Sequence, residues 1–389
     1  MQRKKCPTLA LHTWWRRMKK IAVEAYFNAN LGDDLFVSML CRRYPAVDFY
    51  ARGPKVGAAV RRGLPNLHYL INDRRSFSRT VYWGIDKFRS IVLSTQQSDV
   101  YVQSCDGRVL ISGSCFMQRS GPSVIDWHRF FIGPNTVVLG CNFGPYDAPW
   151  YLETYREIFA HARSVCFRDK ASYDLFQELQ NVTWAPDIVF GYDRHDVELP
   201  QEKGYLLLCP APIDKDGQTE QSQYWQDYVD FHVRMIRTAQ TRGRQVILLG
   251  FCKEQDMTTV HEIVEKLPDK FGVRQLCYPD LSIRQAVGYV ANAGMVLATR
   301  YHAMILALLF GRRVFSICYS DKTSHVIRDL RCNIPHCRPD QLHKLAAVPL
   351  LEELEKDFTL ADQQEIRAVT TGAQRQFSAL DNMLRHTLT

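Results

Sequence analysis

Between Met295 and Gly311 the chain passes from a short apolar strand, Met295 to Ala298, through the polar turn Thr299-Arg-Tyr-His302, directly into the apolar helix Ala303 to Phe310. This strand, polar turn and helix unit recurs along most of the sequence. It restricts the chain to α/β layering, because parallel strands need a crossover and a helix supplies it. Ile21 to Phe27 reads as a strand, Asn28 to Asp34 as the turn after it, and Leu35, Phe36, Met39 and Leu40 as one helical face. Val47 to Ala51, Val109 to Gly113 (behind the turn Asp106-Gly107) and Thr136 to Gly140 are further strands. The loop Cys141 to Asp147 leads into a helix to about Ala162. The short strand Ser164 to Phe167 precedes Arg168 and a helix containing Tyr173, Phe176 and Leu179.

A charged, proline-containing segment, Tyr192 to Gly204, reads as a linker. The alternation then restarts: strand Tyr205 to Cys209, helix Tyr224 to Arg242, strand Val246 to Gly250, helix Met257 to Leu267, strand Arg274 to Cys277 and helix Ile283 to Ala293. After the Met295 unit come the strand Arg313 to Cys318 and a short helix through Asp329, and from about Cys337 only helical signals remain, including Gln363 to Leu388. The expected organisation is a basic arm over 1–20, an α/β domain over 21–198, a second over 203–340 and a helical extension over 341–389.

The net charge of +8 belongs mostly to the arm, where Arg3, Lys4, Lys5, Arg16, Arg17, Lys19 and Lys20 occur without an acid. The near-neutral remainder argues against a nucleic-acid groove. Trp14 and Trp15 in that arm suit peripheral contact with an anionic membrane surface, and the plainer reading is a tail outside the fold. No apolar run is long enough to span a bilayer, and the first twenty residues carry no secretory pattern, so a cytoplasmic location is expected. The twelve scattered cysteines include no CxxC pair with zinc spacing; reduced, buried thiols and no metal site are expected.

Polar residues concentrate where strands end. Arg300 and His302 stand at the end of one strand and the start of a helix, where free N–H groups and the helix dipole favour an anion. Lys322 and His325 stand at the next strand end, and ligands of open parallel sheets bind at such ends. These groups suit a small phosphate or carboxylate; helix capping or loop filling is the alternative. Arg168 occupies a comparable place in the first domain, with a surface salt bridge to Asp169 as its plainer role and Asp169 as a candidate cap. In the turn Asn28-x-x-x-Gly32-Asp33-Asp34, Asp34 most simply caps the following helix, whereas Asp33 is a candidate to bind or deprotonate a hydroxyl in an interdomain cleft. Asn142 either shapes its turn or contacts substrate.

Four motifs in order, Asn28-x-x-x-Gly-Asp-Asp34, Cys166-Phe-Arg-Asp-x-x-Ser172, Ala185-Pro-Asp-Ile-Val-Phe190 and Thr299-Arg-Tyr-His-Ala303 with the later Lys322, together resemble the polysaccharide pyruvyl transferase family over roughly Ile21 to Leu330. The resemblance implies two Rossmann-like domains facing across a cleft, similar to GT-B glycosyltransferases, and transfer of pyruvate from phosphoenolpyruvate to sugar hydroxyls, usually as a cyclic ketal. It places the donor on Arg168, Arg300, Tyr301, His302 and Lys322. Asn28, Asp33 and Asn142 are the candidate acceptor contacts. One departure is Ser112-Gly-Ser-Cys115 where the family carries three glycines.

That chemistry needs a proton donor, a base and stabilisation of departing phosphate. His302 is the expected acid, Lys322 the group that neutralises phosphate, and Asp33 the candidate base. No cofactor is implied beyond phosphoenolpyruvate as co-substrate; the acceptor would be a glycan or lipid-linked oligosaccharide. The competing readings are a GT-B glycosyltransferase using a nucleotide sugar and an inert glycan-binding homologue. The stretch Ala298 to Asp321 offers no ribose-binding carboxylate before Asp321, which disfavours the first.

Overall fold

A computed structural model describes residues 19–71, 102–213 and 220–386. Two parallel sheets divide the chain. The first contains β1 (Lys19–Glu24), β2 (Val47–Gly53), β3 (Leu67–Ile71), β4 (Gly107–Ile111), β5 (Thr136–Cys141), β6 (Ser164–Phe167) and β7 (Val182–Trp184), in the order β3-β2-β1-β4-β5-β6-β7. The second contains β8 (Leu206–Cys209), β9 (Val246–Gly250), β10 (Val273–Cys277), β11 (Met295–Ala298), β12 (Arg313–Ile317) and β13 (His336–Cys337), in the order β10-β9-β8-β11-β12-β13. Strands such as β5, β8, β9 and β11 are buried at every position, as expected when helices cover both faces of a parallel sheet. In each sheet the winding reverses once, between β1 and β4 and between β8 and β11. Crevices at such reversals are where open α/β sheets bind ligands.

The strands β6, β9 and β11 coincide with their sequence expectations. Three local expectations change. Lys19 and Lys20, assigned to the arm, begin β1, and the Lys19 ammonium donates to the Leu384 carbonyl. The rest of the arm, with Trp14 and Trp15, lies outside the described residues. The helix after Arg168 is short, Lys170–Asp174, and turns carry Phe176 and Leu179. Asp34 is not the cap of helix Leu31–Arg43: Asn30 accepts from the Gly32 N–H instead, because Ala29 adopts φ 49° and swings the chain so that Asn30 meets the helix start.

The C-terminal helices do not form one extension. Helix Ala347–Leu354 packs its leucines into the core of the second sheet. Helices Leu360–Ala373 and Ser378–His386 return to the first domain. There the buried Gln376 amide donates to the carbonyls of Ala185 (2.8 Å) and Phe167 (3.1 Å) and accepts from the Gly140 N–H (3.0 Å), while Arg43 pairs with Asp381 at 2.8 Å. One apolar core runs through both domains, joining Phe36 and Val189 to Tyr278 and Met304.

Candidate active site

The carboxyl ends of both sheets face one cleft of about 820 Å³. From the first domain it is lined by Asn30 and Asp33 after β1, Ser112 to Ser114 after β4, Asn142 after β5 and Arg168 after β6. From the second come Gln255 after β9, Arg300 to His302 after β11, Ser320 to Lys322 after β12, and Arg338. Of the residues singled out in the sequence, Asp33, Asn142, Arg168, Arg300, Tyr301, His302, Lys322 and His325 converge here. Asn28 does not: it lies before the Ala29 turn, and Asn30 takes the place expected for it.

The domains touch at the base of the cleft. Leu31 N–H donates to the Phe251 carbonyl at 2.8 Å, and the Tyr278 hydroxyl donates to Asp34 Oδ2 at 2.5 Å. Burial pushes the Asp34 carboxyl up to about 8, opposed by the Tyr278 hydrogen bond. Gly32 lies under His302, where a Cβ would fall 1.9 Å from the imidazole Nδ1. Only glycine admits that approach, which gives the Gly-Asp-Asp turn a steric reason absent from phosphate-loop logic.

Both arginines are more committed than the sequence suggested. Arg168 is 3% exposed, so the surface salt bridge to Asp169 does not form. Asp169 instead caps its short helix by accepting from Ser172 N–H at 2.8 Å. The Arg168 guanidinium reaches Asp187 at 3.2 Å and Asn142 Oδ1 at 2.5 Å, and lies 4.4 Å from the Tyr301 ring centroid. Arg300 caps helix Tyr301–Leu309 with its backbone, while its side chain turns back onto the buried Asp256 and also donates to Gln255 at 2.8 Å. Asp256 in turn accepts from the N–H groups of Phe251 and Cys252 at 2.8 and 3.0 Å. Each buried guanidinium therefore has a carboxylate to offset its desolvation.

The groups turned toward open cleft are different ones. Lys322 lies 6.0 Å from the Tyr301 ring centroid and has no carboxylate within ion-pair distance among the described residues. It occupies the first turn of helix Asp321–Asp329, beside Ser320, whose buried hydroxyl lacks a hydrogen-bond partner. Asp33 Oδ1 accepts a long bond from the Gly113 N–H at 3.5 Å. Burial raises its carboxyl above the ordinary range, opposed by the charges of His302, Arg168 and Lys322. A carboxyl tuned upward beside cations suits proton exchange with a hydroxyl.

Two carboxylates, Asp187 and Asp256, escaped the sequence reading. Asp187 lies inside the Ala-Pro-Asp motif, but no periodicity links a residue after β7 to one after β11. Among the described residues no group of acids, cysteines and histidines is arranged to hold a metal ion.

A sequence model of the polysaccharide pyruvyl transferases matches residues 30–321, spanning both walls of the cleft. The chain belongs to the polysaccharide pyruvyl transferase family. Solved structures share the fold at low identity. Alr3699/HepE of Anabaena, in complex with UDP, aligns over 95% of this chain and 100% of its own with TM-score 0.56 and 11% identity. The calicheamicin glycosyltransferase CalG4 aligns over 96% and 98%, with TM-score 0.50 and 12% identity. The UDP-GlcNAc 2-epimerase of Methanocaldococcus jannaschii aligns over 91% and 100%, with TM-score 0.52 and 9% identity. This pyruvyl transferase family member thus has a GT-B-like α/β fold with two facing Rossmann-like domains and a helical C-terminal region. No helix among its described residues is long and apolar enough to cross a membrane.

Proposed function

We propose that this transferase moves pyruvate from phosphoenolpyruvate to two hydroxyls of one sugar in a cell-surface polysaccharide precursor, forming a cyclic ketal. The observation that carries the reading is the family match from residue 30 to 321, which includes Asp33, Arg300 and His302, all lining a single cleft that Lys322, just past the matched span, also lines. The donor's phosphate and carboxylate are met by Lys322, the helix start at Ser320 and the outer edge of Arg300, while Arg168 supports Tyr301 from behind. His302 protonates the methylene carbon, and a sugar hydroxyl adds to the adjacent carbon as its proton passes to Asp33. A second hydroxyl then displaces phosphate: its oxygen bonds to that carbon as its proton returns to His302, the carbon–oxygen bond to phosphate breaks, and the departing phosphate takes the proton held by Asp33 while Lys322 neutralises its charge.

The test is inorganic phosphate release from phosphoenolpyruvate with a panel of saccharide acceptors, beside UDP- and GDP-sugars assayed for nucleotide release. Acceptor-dependent phosphate release with no nucleotide release is the expected result. Nucleotide release alone would establish the glycosyltransferase reading, and silence in both arms the binding-protein reading. Phosphoenolpyruvate should also raise the thermal midpoint, since a ligand of the native state stabilises it by mass action.

A further inference from the structure

Asp187 gathers three of the side chains that the sequence places at the donor site. It is 1% exposed and comes from the loop after β7, in the first domain. Its Oδ2 accepts from Arg168 Nη1 at 3.2 Å and from the Tyr301 hydroxyl at 3.2 Å, and lies 3.7 Å from His302 Nε2. Its Oδ1 accepts from the Val189 N–H at 2.8 Å, which fixes the carboxylate plane. Burial alone would raise this carboxyl, but the neighbouring His302 and Arg168 and the Val189 N–H outweigh it and hold it below the usual range.

His302 needs such a partner. Its Nε2 is buried and has no closer hydrogen-bond partner, and its ring meets the edge of Phe36 at 5.1 Å and of Tyr301 at 4.9 Å. It stands in the first turn of helix Tyr301–Leu309, where the dipole disfavours a cation. The charged groups around it are Asp187, Asp33 and Arg168 from the first domain and Lys322 from its own. Asp187 is the carboxylate in ion-pair reach of the ring, at 3.7 Å. Nδ1 lies against Gly32, so Asp187 on one edge and the glycine backbone on the other fix the orientation of the ring.

We propose that Asp187 is a positioning residue that reaches across the domain boundary to orient His302 and keep it protonated, so that the acid is complete only when the two domains are apposed. This rests on the acid role proposed above for His302. Asp187 belongs to one domain and His302 to the other, so the pairing exists only across the domain boundary.

The experiment follows the His302 imidazole by NMR in the full-length protein with labelled histidine, assigned through His302→Gln, and needs no donor or acceptor. Asp187→Asn keeps the side-chain shape and should lower the His302 pKa by about one unit or more, the shift typical of losing a close opposite charge. Arg168→Met removes a competing cation and should raise it. In phosphoenolpyruvate turnover, the limb of the pH profile that follows His302 should move with each variant, with kcat affected more than KM. Opposite signs from two neighbouring substitutions are not expected of a residue that merely holds the fold. A folded Asp187→Asn protein with an unchanged His302 titration overturns the proposal. Should Asp187→Asn fail to fold, Tyr301→Phe decides: freeing a lone pair of Asp187 should raise the His302 pKa, and no change overturns the proposal. If the titrations shift as expected but no phosphate is released from phosphoenolpyruvate, the pairing stands and the donor assignment fails.

Discussion

The two walls of the cleft each bury an arginine against an aspartate, yet the two pairs do different work. Arg300 and Asp256 are both in the second domain, and Asp256 spends its remaining capacity on the N–H groups of Phe251 and Cys252. That pair braces the turn after β9 against the turn after β11. Arg168 and Asp187 start from the first domain but end in the second, through the Tyr301 hydroxyl and His302. The same residue types therefore give local stiffness on one wall and interdomain registration on the other. What separates them is where the spare hydrogen-bonding capacity of the carboxylate is directed.

The largest effect should come from breaking the purely local pair. Asp256→Ala leaves a buried guanidinium and two backbone donors without an acceptor, and should cost about 3–5 kcal/mol, read by chemical denaturation. A loss below about 1 kcal/mol would mean that the Arg300 pair is not the brace described here. On the catalytic side, His302→Ala should lower turnover by about 10² or more. His302→Gln retains a hydrogen bond but cannot titrate; near-native turnover in that variant would reduce His302 to a binding group and move the acid elsewhere, with His325 the next candidate.

Lys322 sharpens the contrast between committed and available cations. Lys322→Met should weaken phosphoenolpyruvate by about 1–3 kcal/mol, the range for a charge-assisted contact, with little change in stability. Calorimetric titration reads the first and thermal melting the second; unchanged affinity would show that the donor anion sits elsewhere.

The smallest effect concerns the seam beneath the cleft. Asp34, pushed up to about 8 by burial, retains its proton in the folded protein over a range where the unfolded chain has lost it. The unfolded state then binds fewer protons, so this group's contribution is fully present below about pH 4, declines as pH rises, and is lost by about pH 8. Asp34→Asn preserves an acceptor for Tyr278 and should flatten that decline. Glu24, raised to about 7 by burial, contributes in the same direction in both proteins, so the difference between them isolates Asp34. Identical pH dependence of the melting midpoint would remove Asp34 from the seam's proton balance.

Legibility was uneven for a physical reason. The strand ends at Arg168, Arg300 and Lys322 were readable because a short apolar run ending in polar residues before a helix has one good solution in a parallel sheet. Asp33 was reachable because it shares a turn with Gly32. The capping role fell to Asn30 rather than Asp34 because one left-handed residue, Ala29, redirects the chain, and nothing in the pattern announces it. The short helix after Arg168 was overextended, since Tyr173, Phe176 and Leu179 keep helical spacing while packing from turns.

Local patterning determined the two α/β sets, most of their strands (though not the edge strands β3, β7 and β13) and the convergence of basic groups at strand ends, because periodicity and turn chemistry act over a few residues. Tertiary structure alone decided what those groups could do. Asp187 and Asp256 lie 115 and 44 residues from the His302 and Arg300 they face, and only the winding of two sheets brings them together. The return of Gln376 to the first sheet is of the same kind. Whether an arginine is open to a ligand or already satisfied depends on which carboxylate folding places beside it, and that choice is made by burial across the whole molecule rather than by neighbours in the chain.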